Sequence, residues 1–521
     1  MSVINWINAT VASFNTPSAW QGGEVPNSSD TAVIGSAGDP LPVQNPATDI
    51  LSPAAGESLA FLAGLTLDQE TLVLGQEGNG QPFYYLTTPP ANQVPAGETI
   101  AGGIIDLLGG GSEASLALQD STLAKPVQLN VSGDAYFYSG YTNALDGTIN
   151  IGLPFKINGV TVPPPPPDAN GYVNAVYLDI QDYGSWDDED KLSGYVPGTT
   201  NNGTINISGI HSTLYLSIAG QQESVGKYNG LPLLNPPTVS AFINDGVINV
   251  QAGGTIHALS EFGEGEFINN GKIEVTGAAG DTTLTNIATQ VSGTGTFVLN
   301  GGTQTNPLAT GAYFTDNVTG VNFSLDDAAL RLNAGTDTEV PTLVCSGGNV
   351  AFTGANGALL IDAPVDDPIK NVFTDTISGF ASSDQVQLTY NLLPLTKGET
   401  WKPVAEWDAK TNTLDVYNTY SGIDAPGPSL EAAFVLKGSY TQSSFSAAGV
   451  WNGELDTPAV VTITTTELSP HDWLGSLAPD DWATSASVGQ AAMGAFGLLA
   501  EPDALYHGMM PHDAGAFHVV L

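Results

Sequence analysis

A short phrase recurs through the middle of the chain: an Asn/Asp-Gly pair followed by residues that alternate apolar and polar. It reads Asp146-Gly147-Thr148-Ile149-Asn150-Ile151, Asn202-Gly203-Thr204-Ile205-Asn206-Ile207, Asp245-Gly246-Val247-Ile248-Asn249-Val250 and Asn270-Gly271-Lys272-Ile273-Glu274-Val275, with a looser copy at Gly295-Thr296-Phe297-Val298-Leu299. Gly246, Gly271 and Gly295 follow one another at 25 and 24 residues, the length of one supersecondary unit stacked on the next. Earlier copies are more widely spaced, as longer rungs or insertions would make them. A single strand-turn unit of this kind cannot bury its apolar face alone, so successive rungs must lie on each other and share a continuous core. The sequence therefore predicts an all-β fold: an elongated β-solenoid, or parallel β-helix, with small β end modules and a short C-terminal helical tail.

Composition supports a coiling strand. The chain has 61 glycines and many Asn, Thr and Ser turns, and only 12% charged residues, against about 25% in an ordinary soluble domain. Glycine at these corners is expected to supply positive φ. Between corners stand Val, Ile, Leu, Thr and Phe, which suit a pleated, half-buried surface. At 521 residues one compact core is too large by the usual size rule, but a solenoid grows in one dimension.

Charge narrows the partners. Eleven Lys+Arg stand against 53 Asp+Glu, a formal net charge of −42, and Arg331 is the sole arginine. Nucleic acid, anionic membrane and acidic polysaccharide all require clustered cations, so none is an expected partner. A surface this acidic repels itself at low salt, and bound calcium is the common remedy in extracellular modules.

One cysteine, Cys345, lies in the apolar run Leu343-Val344-Cys345 and reads as a small buried hydrophobe. Residues from Met1 to Trp6 show no basic n-region, apolar h-region or small-residue cleavage site. No apolar run of 18 residues offers a membrane span. The expected localisation is extracellular or cell-surface, reached without an N-terminal signal peptide. The C-terminal stretch Ser487 to Ala500 is rich in Ala, Leu and Met, and the chain closes on Phe517-His518-Val519-Val520-Leu521. Such a tail resembles substrates of one-step type I export in Gram-negative bacteria, although the calcium nonapeptide that often accompanies it is missing. A docking helix is the competing reading.

Two further segments carry a family resemblance. Trp20-Gln21-Gly22-Gly23-Glu24-Val25-Pro26-Asn27-Ser28-Ser29-Asp30-Thr31-Ala32-Val33-Ile34 resembles the opening segment of many autotransporter-like bacterial surface solenoids. Asp375-Thr376-Ile377-Ser378-Gly379-Phe380-Ala381-Ser382-Ser383-Asp384-Gln385-Val386-Gln387-Leu388 is similar to the segment that closes rungs in large secreted β-strand-repeat proteins. With the stretch from Leu414 to Phe445 that fits what often follows it, the resemblance covers about a fifth of the chain. It implies an extracellular or surface-displayed β-helix and specifies no activity. The membrane barrel of autotransporters does not occur in this sequence.

The expected organisation is a capping module over 1–50, solenoid rungs over 51–390 with a lateral insertion near 160–200, a β module over 391–468 containing Trp401, Trp407 and Trp451, and a tail over 469–521. The lateral insertion joins the polyproline run Pro163–Pro167 to the stretch Tyr172–Tyr195.

Candidate sites are few. Asp187, Asp188, Glu189 and Asp190 form the densest acidic cluster, beside Tyr183 and Trp186. They read as a calcium site, as a sugar-binding shelf, or as a solvated acidic loop. The pairs Asp326-Asp327, Asp366-Asp367 and Asp480-Asp481 would point to opposite faces of a strand and make no catalytic dyad by themselves. Four of the six histidines, His471, His507, His512 and His518, fall near the C-terminus with no zinc spacing. No nucleophile elbow, phosphate loop or dinucleotide fingerprint occurs.

Two function classes remain. One is a structural or adhesive surface protein that self-associates or binds a cell-surface glycan, with strand Ser2 to Ile7 completing a neighbour's sheet. The other is a β-helix enzyme acting on polysaccharide with carboxylates, a glycoside hydrolase. A lyase is poorly supplied with bases.

Overall fold

The computed structural model describes residues 2–7, 16–27, 30–34, 64–67, 71–74, 83–86, 99–108, 114–119, 122–140, 142–152, 155–157, 160–162, 174–181, 198–210, 212–219, 241–261, 265–302, 306–333, 344–362, 373–392, 399–422, 427–451 and 458–467. All belong to the first of two compact units, residues 1–469. The expected helical tail and the second unit lie outside the described residues.

The first unit is a β-solenoid of three faces, traversed in the same order in the coils from Gly64–Leu67 onward. The first face is a sheet of 12 strands that starts at Ser2–Asn5 and Asp30–Ile34 and ends at Val318–Thr319 and Cys345–Ser346. The capping segment thus already contributes strands to this sheet, since Ser2–Asn5, Asp30–Ile34 and Gly64–Leu67 pair in parallel. The second face carries the recurring phrase, as in Thr204–Ser208, Val247–Gln251 and Lys272–Thr276. The third face follows in Ser212–Ala219, Thr255–Glu261, Thr283–Ala288, Thr310–Phe314, Ala329–Asn333 and Ala358–Asp362. Strand Gln128–Gly140 turns from the second face into the third without a break.

The register stacks like residues. Ile105, Leu129, Ile149, Ile205, Ile248, Ile273, Phe297, Phe323, Val350, Ile377 and Leu436 are successive cross-rung partners. Each is 2% exposed or less, so one column of a shared core runs the length of the second face. Phe297 stacks on Phe323 with ring centroids 5.4 Å apart and meets Phe314 of the third face edge-on at 5.3 Å. Full burial of side chains this size contributes about 1.5–3 kcal/mol each, and only the neighbouring rung makes that burial possible.

The glycines of the phrase serve a purpose other than positive φ. A Cβ on Gly203, Gly246 or Gly271 would lie 2.0, 2.2 or 2.1 Å from the carbonyl oxygen of the glycine one rung earlier. Backbone touches backbone at this corner. The turn amides of Asp245 and Gly246 both donate to Asn201 O, at 2.9 and 2.8 Å, and those of Asn270 and Gly271 to Asn244 O, at 2.9 and 2.7 Å. Left-handed glycines occupy the next corner instead, among them Gly152, Gly209 and Gly253 at φ 73°, 99° and 86°.

Asparagine amides form ladders beside this spine. Asn249 donates to Asn206, Asn206 to Asn150, Asn150 to Asn130 and Asn130 to Asp106, each at 2.8 Å. A second ladder is fully buried: Asn201 donates to Asn244 and Asn244 to Asn269, both at 2.8 Å.

The connection between first and second faces holds two or three residues in every coil from Thr142–Leu145 to Asn349–Phe352. Between second and third faces, in those same coils, it ranges from two residues, after Asp326, to 22, after Ile151. Strand Asn174–Gln181 lies in the third face between Gly133–Gly140 and Ser212–Ile218, so the region read as one lateral insertion is divided by a rung. Before it, Phe155–Ile157 and Val160–Val162 form an antiparallel hairpin outside the main sheets.

The resemblance motifs have clear physical work. Trp20 is fully buried and meets Trp6 edge-on at 4.9 Å, Gly22 is left-handed at φ 83°, and Ala32 and Ile34 enter the core. In the later motif Ile377 and Phe380 are buried and Gly379 is left-handed at φ 72°. Asp384 accepts the amides of Gly357 and Ala381, both at 2.9 Å.

Further strands continue two faces after the last coil. Ser429–Lys437 joins the second in parallel with Thr376–Ser378, followed by antiparallel Thr413–Ser421 and Thr400–Asp408, and antiparallel Pro458–Thr465 and Phe445–Val450 extend the third. Trp401 meets Trp451 at 6.1 Å, while Trp407, Tyr440 and Phe445 cluster within 5.2–5.6 Å. The Tyr440 hydroxyl donates to Phe380 O at 3.0 Å, fastening this module to the last coil.

Candidate functional site

Alternation along each strand of the third face sends every second side chain outward. Tyr215 stands between Leu214 and Leu216, His257 between Ile256 and Ala258, Tyr313 between Ala312 and Phe314, and Arg331 between Leu330 and Leu332, with every flanking residue buried. Tyr215, His257, Asn286, Tyr313 and Arg331 are successive cross-rung partners. They form one outward column, and the register places Tyr136 and Tyr177 at the same position in the two preceding rungs.

Ring contacts and an ion pair order the column. Tyr215 and His257 stack with centroids 5.2 Å apart and planes 17° apart. The Arg331 guanidinium lies over Tyr313, 5.4 Å from the ring centre, within cation–π range. Arg331 Nε donates to Asp362 Oδ2 at 2.7 Å, in a pair whose side chains are only 15% and 14% exposed. Asn333 donates its amide to the Tyr313 hydroxyl.

Polar atoms around His257 lack partners. Ser217 Oγ, Thr255 Oγ1 and Asn286 Oδ1 are buried without a hydrogen bond, an uncommon state for such groups. Thr255 lies two residues before His257, Asn286 is its cross-rung partner, and Ser217 lies two residues after its stacking partner Tyr215. Burial pushes the His257 imidazole down to about 4. It is therefore neutral near pH 7, one ring nitrogen donating and the other accepting.

On the second face the amides of Asn130, Asn150, Asn206 and Asn249 instead bond along the ladder. At the head of that ladder Asp106 is 1% exposed, and burial pushes its carboxyl up to about 6 against the opposing Asn130 hydrogen bond.

The sequence-predicted calcium residues Asp187, Asp188, Glu189 and Asp190 lie outside the described residues, as do Tyr183, Trp186, Asp366-Asp367, Asp480-Asp481 and the four C-terminal histidines. Among the described residues no three His, Cys, Asp or Glu side chains converge as metal ligands. No described helix is long and apolar enough to cross a membrane. Asp327 turns out of its strand at φ 51° and accepts the Asn356 amide at 2.8 Å, so its pair with Asp326 makes no dyad. Cys345 is fully buried, and its thiol donates to Asp375 Oδ2 at 3.2 Å. Burial first, and Asp375 beside it, push that thiol up.

Sequence reading passed over His257 and the tyrosines of its column. Their local signal is a polar or aromatic residue held between two buried apolar ones, which every rung shares. Their alignment emerges only once coils of unequal length are superposed. No protein-family model matches the chain, and no curated protein matches it.

Proposed function

We propose that this protein is an extracellular structural and adhesive β-solenoid of the bacterial surface or biofilm matrix, a rigid rod whose copies join head to tail. The observation that carries the reading is the unbroken core column from Ile105 to Leu436, the property of a scaffold stiff along its stacking direction. The outer edge of strand Ser2–Asn5 has no partner strand among the described residues, and Val3 and Ile7 are 63% and 58% exposed. Strand addition by a neighbour would use that edge, and a contact that does not close yields a filament. In this reading calcium held by the Asp187–Asp190 segment would moderate the charge of −42.

The competing glycoside hydrolase finds less support. Such enzymes need two carboxylates facing across a substrate, roughly 5–10 Å apart. From Tyr215 to Arg331 the outward column carries none, and the adjacent Asp362 is engaged by Arg331.

Negative-stain images of the purified protein, with calcium and with chelator, test the proposal. Rods or fibres are expected. Monomers that release reducing sugar from a polysaccharide panel would reverse it in favour of the hydrolase.

A further inference from the structure

We infer that the outer surface of the third face, from Tyr215 to Arg331, binds a neutral polysaccharide chain laid along the stacking direction of the rungs; this rests on the adhesive reading above and names its ligand.

Three observations lead there. The two flat faces differ in how their polar groups are used. On the second face the ladder from Asn249 to Asp106 links its amides to one another, and the unpartnered Asn349 Oδ1, Trp407 Nε1 and Asn418 Nδ2 lie in later strands outside it. On the third face Ser217 Oγ, Thr255 Oγ1 and Asn286 Oδ1 surround His257 without a protein partner. The two hydroxyls sit on outward positions, where a χ1 change between staggered rotamers brings them to the surface.

Charge then selects the ligand. Arg331 is the chain's sole arginine, and its charge is balanced by Asp362 at 2.7 Å. The strip is close to neutral on a body of net charge −42, which repels polyanions. What it offers is a mixture of donors and acceptors: guanidinium, carboxylate, phenol hydroxyl, amide and neutral imidazole. Sugar hydroxyls donate and accept at once and fit such a mixture.

Geometry supplies the third reason. Successive rungs repeat at about 4.7–4.9 Å, close to the length of one pyranose in an extended chain. A straight glycan along the column thus meets one outward side chain per sugar over five successive rungs. Tyr215, His257 and Tyr313 present ring edges that carry phenol and imidazole polar atoms, which sugar hydroxyls can bond.

The test is affinity electrophoresis of the full chain through native gels containing hydroxyethylcellulose, mixed-linkage β-glucan or galactomannan, with alginate and polygalacturonate as acidic arms. Retardation by at least one neutral polymer is expected. The variants Tyr215→Ala and Asp362→Asn should weaken its dissociation constant tenfold or more, whereas Lys272→Gln on the second face should leave it unchanged. If circular dichroism shows Tyr215→Ala unfolded, Tyr215→Phe and Asn286→Asp replace it, with at least a threefold weakening expected. Migration unaffected by every neutral polymer, retardation by acidic polymers alone, or third-face variants that bind like the wild type would each overturn the inference. Surface display, followed by protease shaving of cells, separates the two proposals. A displayed protein that ignores glycans sinks only the ligand, and a glycan-binding protein confined to the cytoplasm sinks only the surface role.

Discussion

Gly246 is where a single methyl group would meet the backbone of the preceding coil. Its added Cβ would lie 2.2 Å from Gly203 O, while one on Gly427 would find nothing within 4 Å. Overpacking of this kind costs about 1–3 kcal/mol. Gly246→Ala should therefore lower stability by that amount in urea melts, with Gly427→Ala close to neutral. Asp106 yields a prediction of the same scale with a pH signature. Its folded carboxyl is raised from 3.8 to about 6, so the folded state holds the proton more tightly than the unfolded one. Its favourable contribution is complete below about pH 4 and is lost as pH rises through about 6. One pH unit of displacement corresponds to about 1.4 kcal/mol, so the ionised form costs roughly 3 kcal/mol. Asp106→Asn keeps an acceptor for Asn130 and should stabilise by about 1–3 kcal/mol at pH 8, with no gain at pH 3.5. His257 acts in the opposite sense, being lowered from 6.5 to about 4. Its contribution is complete above pH 6.5 and is lost as pH falls through 4, so His257→Gln should flatten the acid side of the stability profile.

At the scale of strands, each rung depends on its two neighbours. Ile248 lies between Ile205 and Ile273 and is fully buried, and truncating such a side chain costs about 2–5 kcal/mol. Ile248→Ala should lower the urea midpoint accordingly. Hydrogen exchange should show the loss of protection centred on strands Thr204–Ser208, Val247–Gln251 and Lys272–Thr276. Uniform loss over all rungs would show that the solenoid unfolds as one block. The same strands explain how much of the fold was legible in the sequence. Ile149, Ile205, Ile248 and Ile273 revealed their alignment because the corner before each is short and constant. The third face stayed hidden because its strands follow connections of very unequal length, and Asn174–Gln181, between two long ones, read as part of an insertion. Glycine at the phrase was legible as necessary, but the reason differs: it makes room for a carbonyl from the adjacent coil, which only packing exposes. The column of Tyr215, His257, Asn286, Tyr313 and Arg331 was not legible for the same cause, since each member comes from a different coil.

For the molecule as a whole, 53 acidic against 11 basic residues make ionic strength a determinant of stability. The screening length falls from about 30 Å at 0.01 M salt to about 8 Å at 0.15 M, which screens repulsion between exposed carboxylates several coils apart. The melting midpoint should therefore rise over that range of sodium chloride, as read by differential scanning calorimetry. A flat response would mean that the carboxylates are already compensated.

The corner between the first and second faces holds two or three residues in coil after coil, while the other two corners vary freely. That seam behaves as the binding of a book: pages of any width can be added so long as each is cut to the same spine. New loops, epitopes or whole hairpins can enter this lineage at the outer margins without disturbing the text already printed, and protein engineers have the same freedom. A corner that outgrows the three residues found between Gln290–Ser292 and Thr296–Asn300 would loosen that binding.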